Sequence, residues 1–113
     1  MRDIEPTRKS EIKKYLARYG CSPSVRGYNI LLGVIDLAIE NPDESCGGLF
    51  DLYMFDEDAS RKGVTPPKDG WGHAAYRSAR YCFINSAASG DYKGVYEFIK
   101  SGANEIDDKI SEV

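Results

Sequence analysis

A chain of 113 residues and 12.6 kDa has room for one hydrophobic core, so a single helical domain over residues 1–113 is expected, with its core over about residues 10–100. Hydrophobic residues make up 42% and charged residues 29%, near globular averages, which excludes wholesale disorder. No apolar run approaches the roughly 18 residues that a membrane-crossing helix needs, and Met1-Arg2-Asp3-Ile4-Glu5-Pro6 carries charge where a secretion signal needs an apolar stretch, so a cytoplasmic protein without membrane contact is expected.

Helical periodicity dominates from the start. Ile12, Tyr15, Leu16 and Tyr19 recur at the spacing of one helix face, with Thr7 or Ser10 as cap and Gly20 as stop. Cys21-Ser22-Pro23 predicts a turn in which Ser22 caps and Pro23 takes the first helical position. Tyr28, Leu31, Leu32, Ile35, Ala38 and Ile39 form the apolar face of a second helix, the most hydrophobic and therefore the central one. Asn41-Pro42 ends it, because the residue before a proline is pushed out of the helical region.

Pro42 to Gly48 reads as a loop with room for one helical turn, and Leu49, Leu52, Tyr53 and Ala59 as a third helix closed by Gly63. Val64 to Gly70 is turn chemistry. A fourth helix is predicted from about Trp71 to Ala87, with Ala75, Ala79, Cys82 and Phe83 inward and Gly90 as its breaker; Trp71 reads as a core plug. Tyr92 to Lys100 predicts a short helix stopped by Gly102, followed by a tail over 101–113 that docks through Ile106, Ile110 and Val113 or frays. No alternating strand pattern occurs, so the class is all-α: a compact bundle of five to six helices containing a helix-turn-helix-like pair.

The net charge of −3 hides segregation. Residues 42–60 carry six acids and no base, whereas residues 61–83 carry five bases and one acid. Three cysteines leave one unpaired in any intramolecular disulfide scheme, and none falls in a Cys-x-x-Cys pair, so no metal site is expected. Cys82, in an apolar stripe, reads as a small core residue, and reduced thiols fit the cytoplasm.

The fourth helix carries the functional argument. At about 100° per residue, His73 and Arg80 fall within about 60° of Arg77 and Tyr76 within about 100°, while Ala75, Ala79, Cys82 and Ser86 gather opposite. Small inner residues suit close helix packing; arginines a turn apart on the outer face suit phosphates or guanine edges. The preceding helix ends in Arg61-Lys62-Gly63, and a basic helix end, a turn and an arginine-bearing helix follow the order of a helix-turn-helix.

Several segments, in common order over about residues 10–100, resemble the DNA-binding effector domain of the sporulation-initiating (stage-zero) response regulators. Ser24-Val25-Arg26-Gly27-Tyr28-Asn29-Ile30-Leu31, running on to Glu40-Asn41-Pro42, is similar to that family's second helix, with its Lys/Arg-Gly-Tyr step. Leu52-Tyr53 and Ala59-Ser60-Arg61-Lys62 resemble the following helix, and Tyr76-Arg77-Ser78-Ala79-Arg80-Tyr81-Cys82-Phe83 resembles the recognition helix. Gly90-Asp91 followed by Val95-Tyr96-Glu97-Phe98 fits the segment after it. The resemblance implies a six-helix transcription-factor domain whose recognition helix enters the major groove, with Arg77 and Arg80 matching two arginines of that helix. Tyr76 stands where the family has Glu, and Thr65 to Gly70 lengthens the turn.

The expected partner is therefore double-stranded DNA, contacted by Arg77 and Arg80, with His73, Tyr76, Lys68, Arg61 and Lys62 around them. The chain would act on DNA alone or as a homodimer; the alternative is a module of the same fold that has lost DNA binding and instead caps a partner transcription regulator's DNA-binding surface or occupies its dimer interface. The negative total charge and the acidic run Asp56-Glu57-Asp58, with Asp51, motivate it. That run reads as a solvated helix face rather than a metal site. Catalysis has no constellation behind it: His73 is the single histidine, without a nucleophile or acid at triad spacing, and Gly47-Gly48 lacks the length and lysine of a phosphate loop. No cofactor is expected.

Overall fold

Ile12, Tyr15 and Leu16 sit on the buried side of the first of six helices in the computed structural model, which describes residues 3–62 and 72–111, with side chains to residue 55 in the first stretch. The helices are α1 (Pro6–Arg18), α2 (Tyr28–Glu40), α3 (Cys46–Lys62), α4 (His73–Ile84), α5 (Ala88–Asp91) and α6 (Val95–Ser111). No strand occurs among the described residues. The all-α bundle read from the periodicity is the fold observed.

α2 is the central element. It touches α1, α3, α4 and α6, and residues 31–38 are buried without interruption. A helix that is apolar all round must be covered all round, and four neighbours do this. The one charged residue in that run is Asp36, 1% exposed, whose Oδ1 accepts from Arg8 Nη1 at 2.6 Å. This pair ties α1 to α2, and burial without it would leave a carboxylate in the core.

The helix ends correct the sequence-based boundaries in several places. Glu5, rather than Thr7 or Ser10, caps α1: its carboxylate accepts from the backbone N–H groups of Thr7 at 3.0 Å and Arg8 at 2.9 Å, with Pro6 at the start. Pro23 does not begin α2. The turn runs on to Gly27, at φ +92°, and Tyr28 is the first helical residue. α3 begins at Cys46, inside the stretch expected to be loop, because the Ser45 hydroxyl accepts from Gly48 N–H at 3.0 Å. α4 ends at Ile84 rather than Ala87, where Asn85 Nδ2 donates to Tyr81 O at 2.8 Å and the Ser86 hydroxyl donates to Phe83 O at 2.7 Å. Gly90 is therefore not its breaker and lies within α5. Gly63, the Val64–Gly70 turn and Trp71 lie outside the described residues.

The largest correction is at the C-terminal end. Gly102 stops nothing, and α6 runs through it to Ser111. Its missing side chain makes room for Tyr15: a Cβ there would stand 2.4 Å from Tyr15 Cε2. The Tyr15 ring also stacks on Phe98, centroids 5.0 Å apart, and its hydroxyl donates to Phe98 O at 2.7 Å. Glycine to alanine inside a helix ordinarily gains up to about 1 kcal/mol. Gly102→Ala is expected to reverse that sign and lose about 1–3 kcal/mol by overpacking, read as a lower urea midpoint.

Three carboxylates are held below their ordinary value of 4.5: Glu5 by the backbone N–H groups of Thr7 and Arg8, Glu11 chiefly by Lys109, and Glu105 chiefly by Arg18. Arg18 Nη1 donates to Glu105 Oε1 at 3.0 Å, with Nη2 on Oε2, joining α1 to α6. A carboxyl depressed in the folded state stabilises above its unfolded pKa and stops doing so as the pH falls through the folded one. The melting temperature is expected to hold between about pH 7 and 5 and to fall below about pH 4.5, more shallowly in Glu105→Gln.

Candidate nucleic-acid interface

α4 is locked into the bundle at three levels, and each lock needs a small residue or a single polar contact. At its start, Gly72 lies against the backbone of Phe50, where a Cβ would come within 2.5 Å of the carbonyl carbon. Gly72 N–H donates to Asp51 Oδ1 at 2.7 Å, which places a carboxylate of α3 at the positive end of α4. At its middle, Gly27 packs on the backbone of Ser78. Along its inner face Ala75, Ala79, Cys82 and Phe83 are all buried, the small-residue face read from the sequence.

Cys21 and Cys82 meet where the α1–α2 turn reaches α4. Burial pushes both thiols up, Cys82 to about 11. Both are free and buried, which agrees with a core role for Cys82. No group of three potential metal ligands occurs among the described residues.

With one side of α4 fixed inward, the other is necessarily outward. His73, Arg77 and Arg80 are exposed, as expected. The two remaining large side chains on this face, Tyr81 and Ile84, are 53% and 47% exposed. α4 contains no acid in its sequence HAAYRSARYCFI, so the helix itself brings no carboxylate to its outer face. Among the described residues, no carboxylate lies within ion-pairing distance of Arg77 or Arg80, whereas Arg8 and Arg18 are tied to Asp36 and Glu105.

Tyr76 is placed differently from the expectation. Its ring is half-buried in the α3–α4 seam, edge-on to Phe50 with centroids 5.4 Å apart and beside the His73 ring at 6.3 Å. It helps line a cleft of about 300 Å³ with Phe50, Asp51, Gly72 and His73. Packing on Phe50 costs it the outward position that a helical wheel gave it. Arg61 and Lys62 belong to the last turn of α3, which the helix reaches as expected, but their side chains lie outside the described residues, as does Lys68 and the run Asp56-Glu57-Asp58.

Sequence reasoning missed two contributors. Arg26 is exposed and directly precedes Gly27, so its Cα lies about 3.8 Å from the residue that touches Ser78 of α4. The backbone of Arg26 thus runs beside the middle of α4, brought there by the Arg-Gly step. The other contributor is the Tyr81–Ile84 pair, whose helical phase matches Arg77. Their phase, within about 40° of Arg77, is the signal that could have found them.

No helix among the described residues is long and apolar enough to cross a membrane. Comparison with protein-family models, with curated proteins and with solved structures gave no match. The chain is an all-α bundle, with six helices among the described residues, one of which, α4, bears arginines and no acid.

Proposed function

We propose that this chain is a DNA-binding domain of a transcription regulator, with α4 as the helix offered to the major groove. The observation that carries the reading is the outer face of α4, where Arg77 and Arg80 are exposed and without an ion-pair partner among the described residues. Two exposed guanidinium groups a turn apart suit guanine O6 and N7 or adjacent phosphates. His73 at the start of α4 and Arg26, next to Gly27, serve as backbone contacts, and Arg61, Lys62 and Lys68 are further cations that the sequence supplies ahead of α4. Tyr76 acts as a wedge that sets the α3–α4 angle and so aims the arginines.

Asp51 shapes the recognition mode. Because its carboxylate occupies the N-terminal end of α4, that end does not serve as a phosphate cradle, and binding falls to the side chains. The likeness of the Arg26-Gly27-Tyr28 step and of the Arg77–Arg80 segment to the sporulation effector domains points the same way. Free, buried thiols suit a cytoplasmic home.

Fluorescence anisotropy of a labelled random duplex, titrated with the chain at several salt concentrations, tests the proposal. Binding is expected at low salt, with log K falling against log salt by about 0.9 for each neutralised phosphate. The chain's net charge of −3 makes low salt the decisive condition. No anisotropy change at roughly 100 µM protein, weaker than ordinary non-specific binding, overturns it. Capture of a transcription regulator by a chain that binds no duplex favours the protein-interaction module instead.

A further inference from the structure

Tyr81 and Ile84 pose a problem that the arginines do not. A single exposed apolar side chain is ordinary. Here two of them, at 53% and 47% exposure, share one helix face with Arg77 and Arg80 and with no acid. At about 100° per residue the four side chains fall within an arc of about 100°, turned away from Ala75, Ala79 and Cys82. Whatever covers this face must be anionic yet offer apolar groups between its polar ones.

A second copy of the chain meeting the first through the same face does not fit. A two-fold contact sets the patch against itself, Arg77 and Arg80 of one copy against the same cations of the other, a like-charge juxtaposition. The major groove of a duplex does fit, because its phosphates are anionic and its floor carries the C5-methyl groups of thymine. The minor groove shows no such methyl.

We propose that this face reads thymine as well as guanine: Tyr81 and Ile84 pack on thymine methyl groups beside the guanines that Arg77 and Arg80 address. The inference rests on the DNA-binding reading and adds two specificity-determining residues to it. Arg77 and Ile84 are separated by about 10 Å along the helix axis at 1.5 Å per residue, about three steps of a duplex rising 3.4 Å per base pair. The guanine and thymine positions therefore lie within about three base pairs of each other.

The test begins with selection of tight-binding duplexes from a random pool by the full chain. The best duplex is then remade with deoxyuridine for thymidine, which removes only the methyl groups, and separately with 7-deazaguanine, which removes guanine N7. Deoxyuridine is expected to weaken binding about fourfold if one methyl group is buried and about fifteenfold if two are. Ile84→Ala and Tyr81→Ala, with melting temperatures matching the parent, are expected to bind more weakly and to lose part of the thymidine–deoxyuridine difference. Both should keep the full penalty for 7-deazaguanine. Equal affinity for the thymidine and deoxyuridine duplexes overturns the inference while leaving DNA binding intact, as does full discrimination in both variants. Failure of any duplex to bind overturns the DNA-binding reading and the inference with it.

Discussion

Gly27→Ala is expected to be among the most damaging single-methyl additions in the fold, lowering stability by about 2–5 kcal/mol. Two costs add. Gly27 holds φ at +92°, where an L side chain is strained by about 1–2 kcal/mol. Its Cβ would also stand 1.9 Å from the Ser78 carbonyl oxygen, a backbone atom that cannot swing aside, so α4 must move, at about 1–3 kcal/mol for overpacking. At about 4 °C per kcal/mol for a domain of this size, the melting temperature should drop by about 8–20 °C. Gly20→Ala supplies the control: φ is +76° there, but nothing lies within 4 Å of the added carbon. It should show the first cost alone, about 1–2 kcal/mol. Equal losses in the two variants would show that the α1–α2 turn does not bear on α4 in the way described.

The same contact explains what the sequence disclosed and what it withheld. α2 was legible because its apolar residues exceed one face and Asn41-Pro42 marks its end, both local signals. The inward side of α4 was legible because Ala75, Ala79 and Cys82 repeat at helical spacing. Gly27 and Gly102 were not, since each is explained by a group remote in sequence, the Ser78 carbonyl and the Tyr15 ring. Read locally, a glycine late in a helix is a stop; read in three dimensions, Gly102 is a seat for an aromatic ring. Asp36 was hidden in the same way, as a carboxylate in an apolar stripe until Arg8 is brought against it. At the candidate interface, Arg77, Arg80 and His73 followed from periodicity. Tyr76 did not, because it lies at the margin of the outer arc, where Phe50 decides which side it joins.

Arg77→Ala and Arg80→Ala should separate recognition from folding more sharply than any other substitutions. Both side chains are exposed and make no ion pair with a described residue, so each truncation should change stability by less than about 0.5 kcal/mol. If each arginine forks onto a guanine, each loss should weaken binding of a selected duplex by about 1–3 kcal/mol, roughly 5- to 150-fold. Lysine replacements decide the chemistry of the contact. Lysine keeps the charge and loses the fork, so Arg77→Lys or Arg80→Lys should retain most affinity at a phosphate and little at a guanine. A phosphate contact should also show in the salt dependence, which becomes shallower by about 1 in slope per contact removed. Arg18→Ala is the complementary control: its guanidinium is engaged by Glu105, so its removal acts on the α1–α6 junction and should leave duplex affinity unchanged. A double Arg77→Ala/Arg80→Ala chain that still binds the selected duplex at parental affinity would remove α4 from the interface. The exposed, acid-free flank of that helix would then need a different partner.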